Sequence, residues 1–190
     1  MDVLEAIRTR PSVAELGGEV DDATICRLIQ EAAVWAPNHH HTEPWHFTVL
    51  KGQARARVGL GWAKTAAAEI PIDGAAREKY IAKESQKLLR APVVVVVSQR
   101  VSGTTVQIDE DHAAVSAAIQ NLLLAAHGLG LGARWRTGKM AYHPAMLQLL
   151  GLPDTSRIVG FIYLGYTMSE EMQPRHRNLE GLFRGNQRIG

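Results

Sequence analysis

Cysteine is almost absent: Cys26 is the only one in 190 residues. A lone thiol closes no internal disulfide, which fits a reducing compartment. Cys26 falls inside an apolar helical pattern, so it is expected to fill the core rather than react. No apolar run approaches the roughly 20 residues that cross a bilayer. The opening Met1-Asp2-Val3-Leu4-Glu5 lacks the charged start and apolar stretch of a secretion signal, and the expected location is cytoplasmic. Neither sign of charge dominates, since 21 Lys and Arg against 19 Asp and Glu leave a net charge of +2. That excess does not argue for nucleic acid, and no basic block or nucleic-acid signature accompanies it. There is no Gly-x-Ser-x-Gly elbow, and no Ser-His-Asp arrangement can be picked out from spacing. Gly138-Lys139 is followed by Met140 and not by the hydroxyl residue of a phosphate loop. Gly128-Leu129-Gly130-Leu131-Gly132 follows a predicted helix and leads to a strand, the reverse of a dinucleotide fingerprint. Without repeats, low-complexity segments or boundary signals, the chain reads as a single domain over 1–190.

What is present is ordinary for a globular protein, with 46% hydrophobic and 21% charged residues. Asp2 and Glu5 have capping-box spacing before the apolar face Val3, Leu4 and Ile7, and Pro11 stops this helix near Thr9. Asp21 or Asp22 caps a second helix with the stripe Ile25, Leu28, Ile29 and Ala32, ended by Pro37. Trp45, Phe47 and Val49 alternate with His46, Thr48 and Leu50, which predicts a strand. Residues 52–90 are expected to be mostly helical, interrupted at Gly52, Gly59, Gly61, Pro71 and Gly74. Their basic stripe Lys79, Lys83, Lys87 and Arg90 suits a solvated face better than a partner site. Val93 to Val97 are consecutive valines, which predicts a central strand covered on both sides. Asp109 can cap a long helix running to about Gly128, small and apolar almost all round, and so central or part of a subunit contact. Strands over 133–137 and 157–165 flank a short helix begun by His143-Pro144 and stopped by Gly151. From Thr167 a tail with Arg175, Arg177, Arg184 and Arg188 has too little apolar content to fold alone, and is expected to be loose or laid over the surface or a second subunit. Strands and helices mix without a βαβ rhythm, which indicates an α+β layered domain.

Three stretches carry chemistry. Trp35 to Phe47 packs four histidines and two tryptophans into one loop and strand. Consecutive His39, His40 and His41 diverge, no cysteine is near, and Glu43 is the only local carboxylate, so a polar loop explains the run better than a metal. Arg10 and Ser12 stand two apart at a helix end and offer a charge-assisted fork and a directional hydroxyl to a phosphate, although a solvated turn explains them equally well. Trp135-Arg136-Thr137 repeats that combination beside an indole; a strand with Trp inward and Arg outward is the plainer explanation.

Taken in order, these pieces resemble the FMN-dependent nitroreductase family, and in detail its small NAD(P)H nitroreductase subgroup of the YdjA type. Arg10-Pro11-Ser12 stands where the family has Arg-Arg-Ser. Ala36-Pro37-Asn38-His39 and Glu43-Pro44-Trp45-His46-Phe47 resemble its Ala-Pro-Asp-His and Gln-Pro-Trp-His-Phe. The Gln120 to His127 helix with its glycine turn, Trp135-Arg136-Thr137-Gly138, and Ile158 to Gly165 complete the series. No single motif is specific; the five in order over about residues 1–165 are.

The resemblance implies a three-layer α+β fold with a central mixed sheet between helices. It also implies a homodimer with FMN at the subunit interface and NADH or NADPH as reductant. Arg10, Pro11 and Ser12 would meet the phosphate end, Trp135, Arg136 and Thr137 would complete the pocket, and Trp35 and His39 would come from the opposite subunit. No side chain need act as a nucleophile, because the cofactor carries the chemistry. This chain departs from the pattern at Pro11, which lacks a guanidinium and a backbone N–H. It departs again at Glu43 in place of Gln and at Trp35 in place of Arg, and Arg177 is a candidate to compensate for Pro11. The activity implied is transfer of hydride or electrons from NAD(P)H to an electron-poor acceptor such as a nitroaromatic or quinone. Dehalogenation or ene reduction on the same scaffold, and a non-catalytic flavin or metal sensor, are the alternatives.

Overall fold

The structure is a computed structural model that describes residues 1–168. The expected tail, including Arg175, Arg177, Arg184 and Arg188, lies outside the described residues except for Thr167 and Met168. The organising strand is β5 (Ser156–Thr167). It pairs along one edge with β3 (Val93–Arg100) and along the other with β4 (Gly132–Arg136) and, beyond it, β1 (Leu16–Gly17). The strand β2 (Trp45–Lys51) flanks β3. Every pairing among the described residues is antiparallel; a parallel partner that would make the sheet mixed would have to come from outside them.

The valine run explains the layering. Val93, Val95 and Val97 are fully buried on one face, beneath α2 (Asp22–Gln30) and α5 (Thr105–Gly128). Val94 and Val96 are as deeply buried on the other, beneath α3 (Gln53–Ala68) and the short helices α6 (Lys139–Tyr142) and α7 (Ala145–Leu150). The helix α4 (Gly74–Ser85) packs on α3 and adds Tyr80 to that layer. A strand side chain alternates between faces, so an unbroken β-branched run is stable only with apolar cover on both. The three layers of an α+β fold follow.

Several local expectations shift. α5 begins at Thr105, where the Thr104 hydroxyl accepts from the Gln107 amide at 3.3 Å. Asp109 therefore lies inside the helix instead of capping it. α2 ends at Gln30, before Pro37, and the chain continues through 3-10 turns at Ala33–Trp35 and His39–His41. Gly59 and Gly61 do not interrupt α3. A Cβ on Gly59 would lie 2.7 Å from the Ser85 carbonyl oxygen and one on Gly61 2.5 Å from a Leu149 methyl, so both let neighbouring elements approach. Pro144 occupies the N-cap of α7 and not its first turn, and His143 Nδ1 accepts from the Ala145 amide at 3.1 Å. Cys26 is exposed: Ile25 and Leu28 take the buried stripe of α2, and position 26 falls outside it.

At the N-terminus, α1 (Val3–Thr9) is capped by Asp2, whose Oδ1 accepts from the Glu5 amide at 2.9 Å. It buries none of its residues, and Val3, Leu4 and Ile7 are all exposed. No helix among the described residues is long and apolar enough to cross a membrane.

Candidate functional site

Arg10 closes α1, its amide donating to the Ala6 carbonyl at 3.0 Å and its guanidinium Nη1 to the Pro11 carbonyl at 3.3 Å. The Val13 amide donates to the Ala133 carbonyl at 3.2 Å, so Arg10, half-buried Pro11 and exposed Ser12 are fastened beside the start of β4. The C-terminal end of α5 closes the other side, where His127 Nε2 lies 2.9 Å from the Thr9 hydroxyl. Burial, and then the Arg10 guanidinium, hold the His127 pKa below its ordinary value. Nothing near His127 in the chain pointed to it, because its partner Thr9 is more than a hundred positions away.

β4 then presents alternate side chains to opposite faces. Trp135 lies flat across β5, its Nε1 donating to the Val159 carbonyl at 3.3 Å. Glycine at position 160 makes that possible, since a Cβ there would come 2.0 Å from the indole nitrogen. Arg136 points the other way, its Cζ 5.8 Å from the centroid of the Tyr163 ring. Burial, then Arg134, lower the Arg136 pKa. Burial raises that of Tyr163, opposed by Arg136, Arg90 and Arg134. Exposed Thr137 follows, before Gly138 turns the chain at φ 93°. Trp135 and Arg136 are thus adjacent in sequence but face different layers.

The histidine-rich loop forms a third group. Trp35 is 76% exposed and is oriented by its Nε1, which donates to the Gln30 carbonyl at 2.9 Å. His39 Nδ1 lies 3.0 Å from Glu110 Oε2, and its ring stacks on His40 at 3.9 Å. His40, His41 and Glu43 all hold positive φ, at 57°, 51° and 44°. Non-glycine residues in that region cost on the order of 1–3 kcal/mol each and persist only where their surroundings impose them. The restraints are visible. The Thr42 hydroxyl donates to buried Asp111 at 2.5 Å, Arg100 donates to the Thr42 carbonyl at 2.6 Å, and Asn38 Oδ1 accepts from the Glu43 amide at 3.0 Å. Among the described residues no three His, Cys, Asp or Glu side chains are grouped to hold a metal ion.

These groups do not form one site within a single chain. Arg10 stands beside His127 at one end of α5, and His39 beside Glu110 at the other. At about 1.5 Å of rise per residue, those ends are on the order of 25 Å apart. A shallow groove of about 360 Å³ runs along His39, Glu110 and the small side chains of Ala113 and Ala117. On the opposite face of the sheet a cavity of about 240 Å³ gathers Arg136 and Thr137 with Lys87, Arg90 and Lys139. Sequence reading missed the last three as site residues, having treated Lys87 and Arg90 as part of a solvated stripe.

A layered α+β domain with a strained loop at one end of a long central helix and Arg10 beside His127 at the other has a counterpart among known proteins. The sequence profile of the Nitroreductase family matches residues 18–166, and the chain belongs to that family. It is 30% identical over 166 residues to YdjA of Escherichia coli strain K12, provisionally named an NAD(P)H nitroreductase, covering 87% of this chain and 88% of that one. It is equally similar, at 30% over 163 residues, to the provisionally named NAD(P)H nitroreductase YfhC of Bacillus subtilis, covering 85% and 82%. Among solved structures, a nitroreductase-like family protein from Bacillus cereus superposes with a TM-score of 0.82 at 27% identity, over 97% of this chain and 95% of that one. A provisionally named nitroreductase from Desulfovibrio desulfuricans, crystallised in complex with FMN, gives 0.73 at 26% identity over 98% of each chain. The chain therefore has the nitroreductase fold and belongs to an FMN-dependent superfamily of flavin-mediated hydride and electron transfer.

Proposed function

We propose that two copies of this chain pair along α5 and hold FMN between them, acting as an NAD(P)H-dependent oxidoreductase of the YdjA type on an electron-poor acceptor such as a nitroaromatic or quinone. The observation that carries this is the separation along α5. Arg10 and His39 are too far apart to touch one flavin from the same chain. A two-fold axis through the middle of α5 would bring the His39 end of one copy to the Arg10 end of the other. The small side chains on the exposed part of α5, Ala113 and Ala117, suit close helix approach. The uncovered Val3, Leu4 and Ile7 of α1, together with Trp35, offer apolar surface that a second copy would bury.

FMN, when bound, would supply acceptance of hydride from NADH or NADPH and its delivery to the acceptor. The chain's own residues do the rest. Arg10 offers a guanidinium fork and Ser12 a hydroxyl to a phosphate. Pro11 contributes no amide but fixes the backbone between them. Trp135, held flat on β5, gives a rigid apolar wall, with Arg136 and Thr137 at the end of the strand. Trp35 and His39 of the second copy would close the site against water, Trp35 oriented by the Gln30 carbonyl and His39 by Glu110.

The test is an absorbance spectrum and a sizing measurement on the purified protein, followed by NADH or NADPH titration. A yellow dimer bleached by either nucleotide is expected, and Arg10→Ala should lose the colour while remaining folded. A colourless monomer that cannot be reconstituted with FMN would overturn the proposal.

A further inference from the structure

The cavity on the α3 and α4 face gathers cations and rings most of which the flavin proposal does not use. Its walls are aromatic: Trp62 from α3, Tyr80 from α4, and Phe161 and Tyr163 from β5. Its rim is cationic: Lys87, Arg90, Arg136 and Lys139, converging from three different segments. Among the described residues the only lining carboxylate is Glu84, which is buried and already engaged. Lys87 Nζ lies 2.5 Å from its Oε2, and the Trp62 indole donates to the same oxygen at 3.3 Å. Among the described residues no carboxylate pairs with Arg90, Arg136 or Lys139. The Arg136 pKa is lowered first by burial, then by Arg134 and, less, by Arg90. A volume of about 240 Å³ falls below the roughly 300–1,000 Å³ usual for drug-sized ligands, so one ring and one anionic group would fill it.

We propose that this cavity is a binding site for a phosphate monoester of a small aromatic ring, separate from the flavin. Near neutral pH such a phosphate carries close to two negative charges and three acceptor oxygens. Three unpaired cations match it better than they match a monovalent carboxylate. Arg90 and Arg136 offer planar forks and Lys139 a point charge, while the ring packs against Tyr163 and Trp62. Arg136 and Thr137 also appear in the flavin proposal, but the Arg136 side chain faces Tyr163 in this layer and not the layer of Trp135, and Lys87, Arg90, Lys139 and the ring walls belong to the cavity alone.

The test uses isothermal titration of phenyl phosphate into the purified protein, with and without saturating FMN, and compares inorganic phosphate and phenol. Phenyl phosphate should bind in both states, with inorganic phosphate and phenol each weaker by about tenfold or more. Arg90→Gln and Lys139→Gln are exposed positions outside the flavin site, and each should weaken phenyl phosphate by roughly tenfold without changing flavin occupancy. Circular dichroism shows whether each variant remains folded, and the two variants check one another. Equal binding of inorganic and phenyl phosphate would overturn the aromatic part of the proposal. Competition by FMN, or loss of flavin colour in Arg90→Gln, would show that the cavity belongs to the flavin site and overturn its separateness. A protein that fails to bind FMN but binds phenyl phosphate would sink the flavin proposal and leave this one standing.

Discussion

The two faces of the sheet are finished differently. On the α3 and α4 face the chain closes over its own core. Trp62, Phe161 and Met146 are buried, and the cavity beside Tyr163 is small and lined by opposed charges and rings. On the α5 face the sheet is equally well covered, but the outer surface is unfinished. Trp35, Val3, Leu4 and Ile7 lie exposed, α1 buries nothing, and the groove beside His39 is open. The second face carries exposed apolar surface that the proposed dimer would bury, and a seven-residue helix with no buried side chain has little to hold it in place alone.

That contrast can be broken by substitution. Phe161→Ala, at a position 1% exposed in the self-contained layer, should cost about 3–5 kcal/mol in urea unfolding, independently of protein concentration. A concentration-dependent loss would mean that this face also relies on a second copy. Trp35→Asp should leave the monomer fold almost untouched but weaken association by about 2–4 kcal/mol, as hot-spot tryptophans do. On the proposed dimer, analytical ultracentrifugation would then show monomer at concentrations where the parent associates, with flavin lost in parallel. An unchanged sedimentation profile would remove the main support for placing the interface there. Gly160→Ala should cost about 1–3 kcal/mol, because its methyl needs the space of the Trp135 indole. A shift in tryptophan emission identifies that cause; stability lost with the emission unchanged would point elsewhere.

The same contrast governs what could be read in the sequence. The valine run announced its two-sided burial, and the amphipathic stripe of α2 announced its buried face, because both depend on short-range periodicity. Cys26 was misjudged because a helical pattern locates the stripe better than it assigns each position in it. The cap of α5 was misplaced because Thr104 and Asp109 both precede plausible helix, and only the backbone decides between them. At the candidate site, Arg10, Ser12, Trp135 and Arg136 stood out by residue type. Nothing local showed that Trp135 and Arg136 face different layers with different neighbours, or that Arg10 stands beside His127. Lys87, Arg90 and Lys139 were hidden for a related reason: they meet only because an α4-side turn, the end of β4 and the start of α6 fold to one place. The positive φ values of His40, His41 and Glu43 were also illegible, since histidine adopts that conformation only occasionally and glutamate rarely, and the Thr42 hydrogen bonds that impose it reach to residues 69 and 58 positions away.

The smallest expected effect lies at the junction of the two regions, in the pH dependence of stability. His127 is held below its ordinary pKa of 6.5 first by burial and then by Arg10. The folded chain therefore binds a proton there less readily than the unfolded chain. Stability then rises with pH wherever the unfolded state is the more protonated. The contribution is present above about pH 6.5 and is lost as the pH falls below it. His112 acts in the same direction, through burial and then Arg157, so the parent protein should lose melting temperature steadily on acidification through this window. His127→Gln retains a polar partner for the Thr9 hydroxyl but cannot take up a proton. Its melting curves should show a shallower decline between pH 7 and 5 than the parent, with the remainder attributable to His112 and the carboxylates. If FMN phosphate occupies the Arg10 position, it would offset the guanidinium that suppresses His127 protonation, so the difference between parent and variant should shrink when flavin is bound. A slope in His127→Gln identical to the parent, with and without FMN, would show that this histidine is not electrostatically coupled to Arg10.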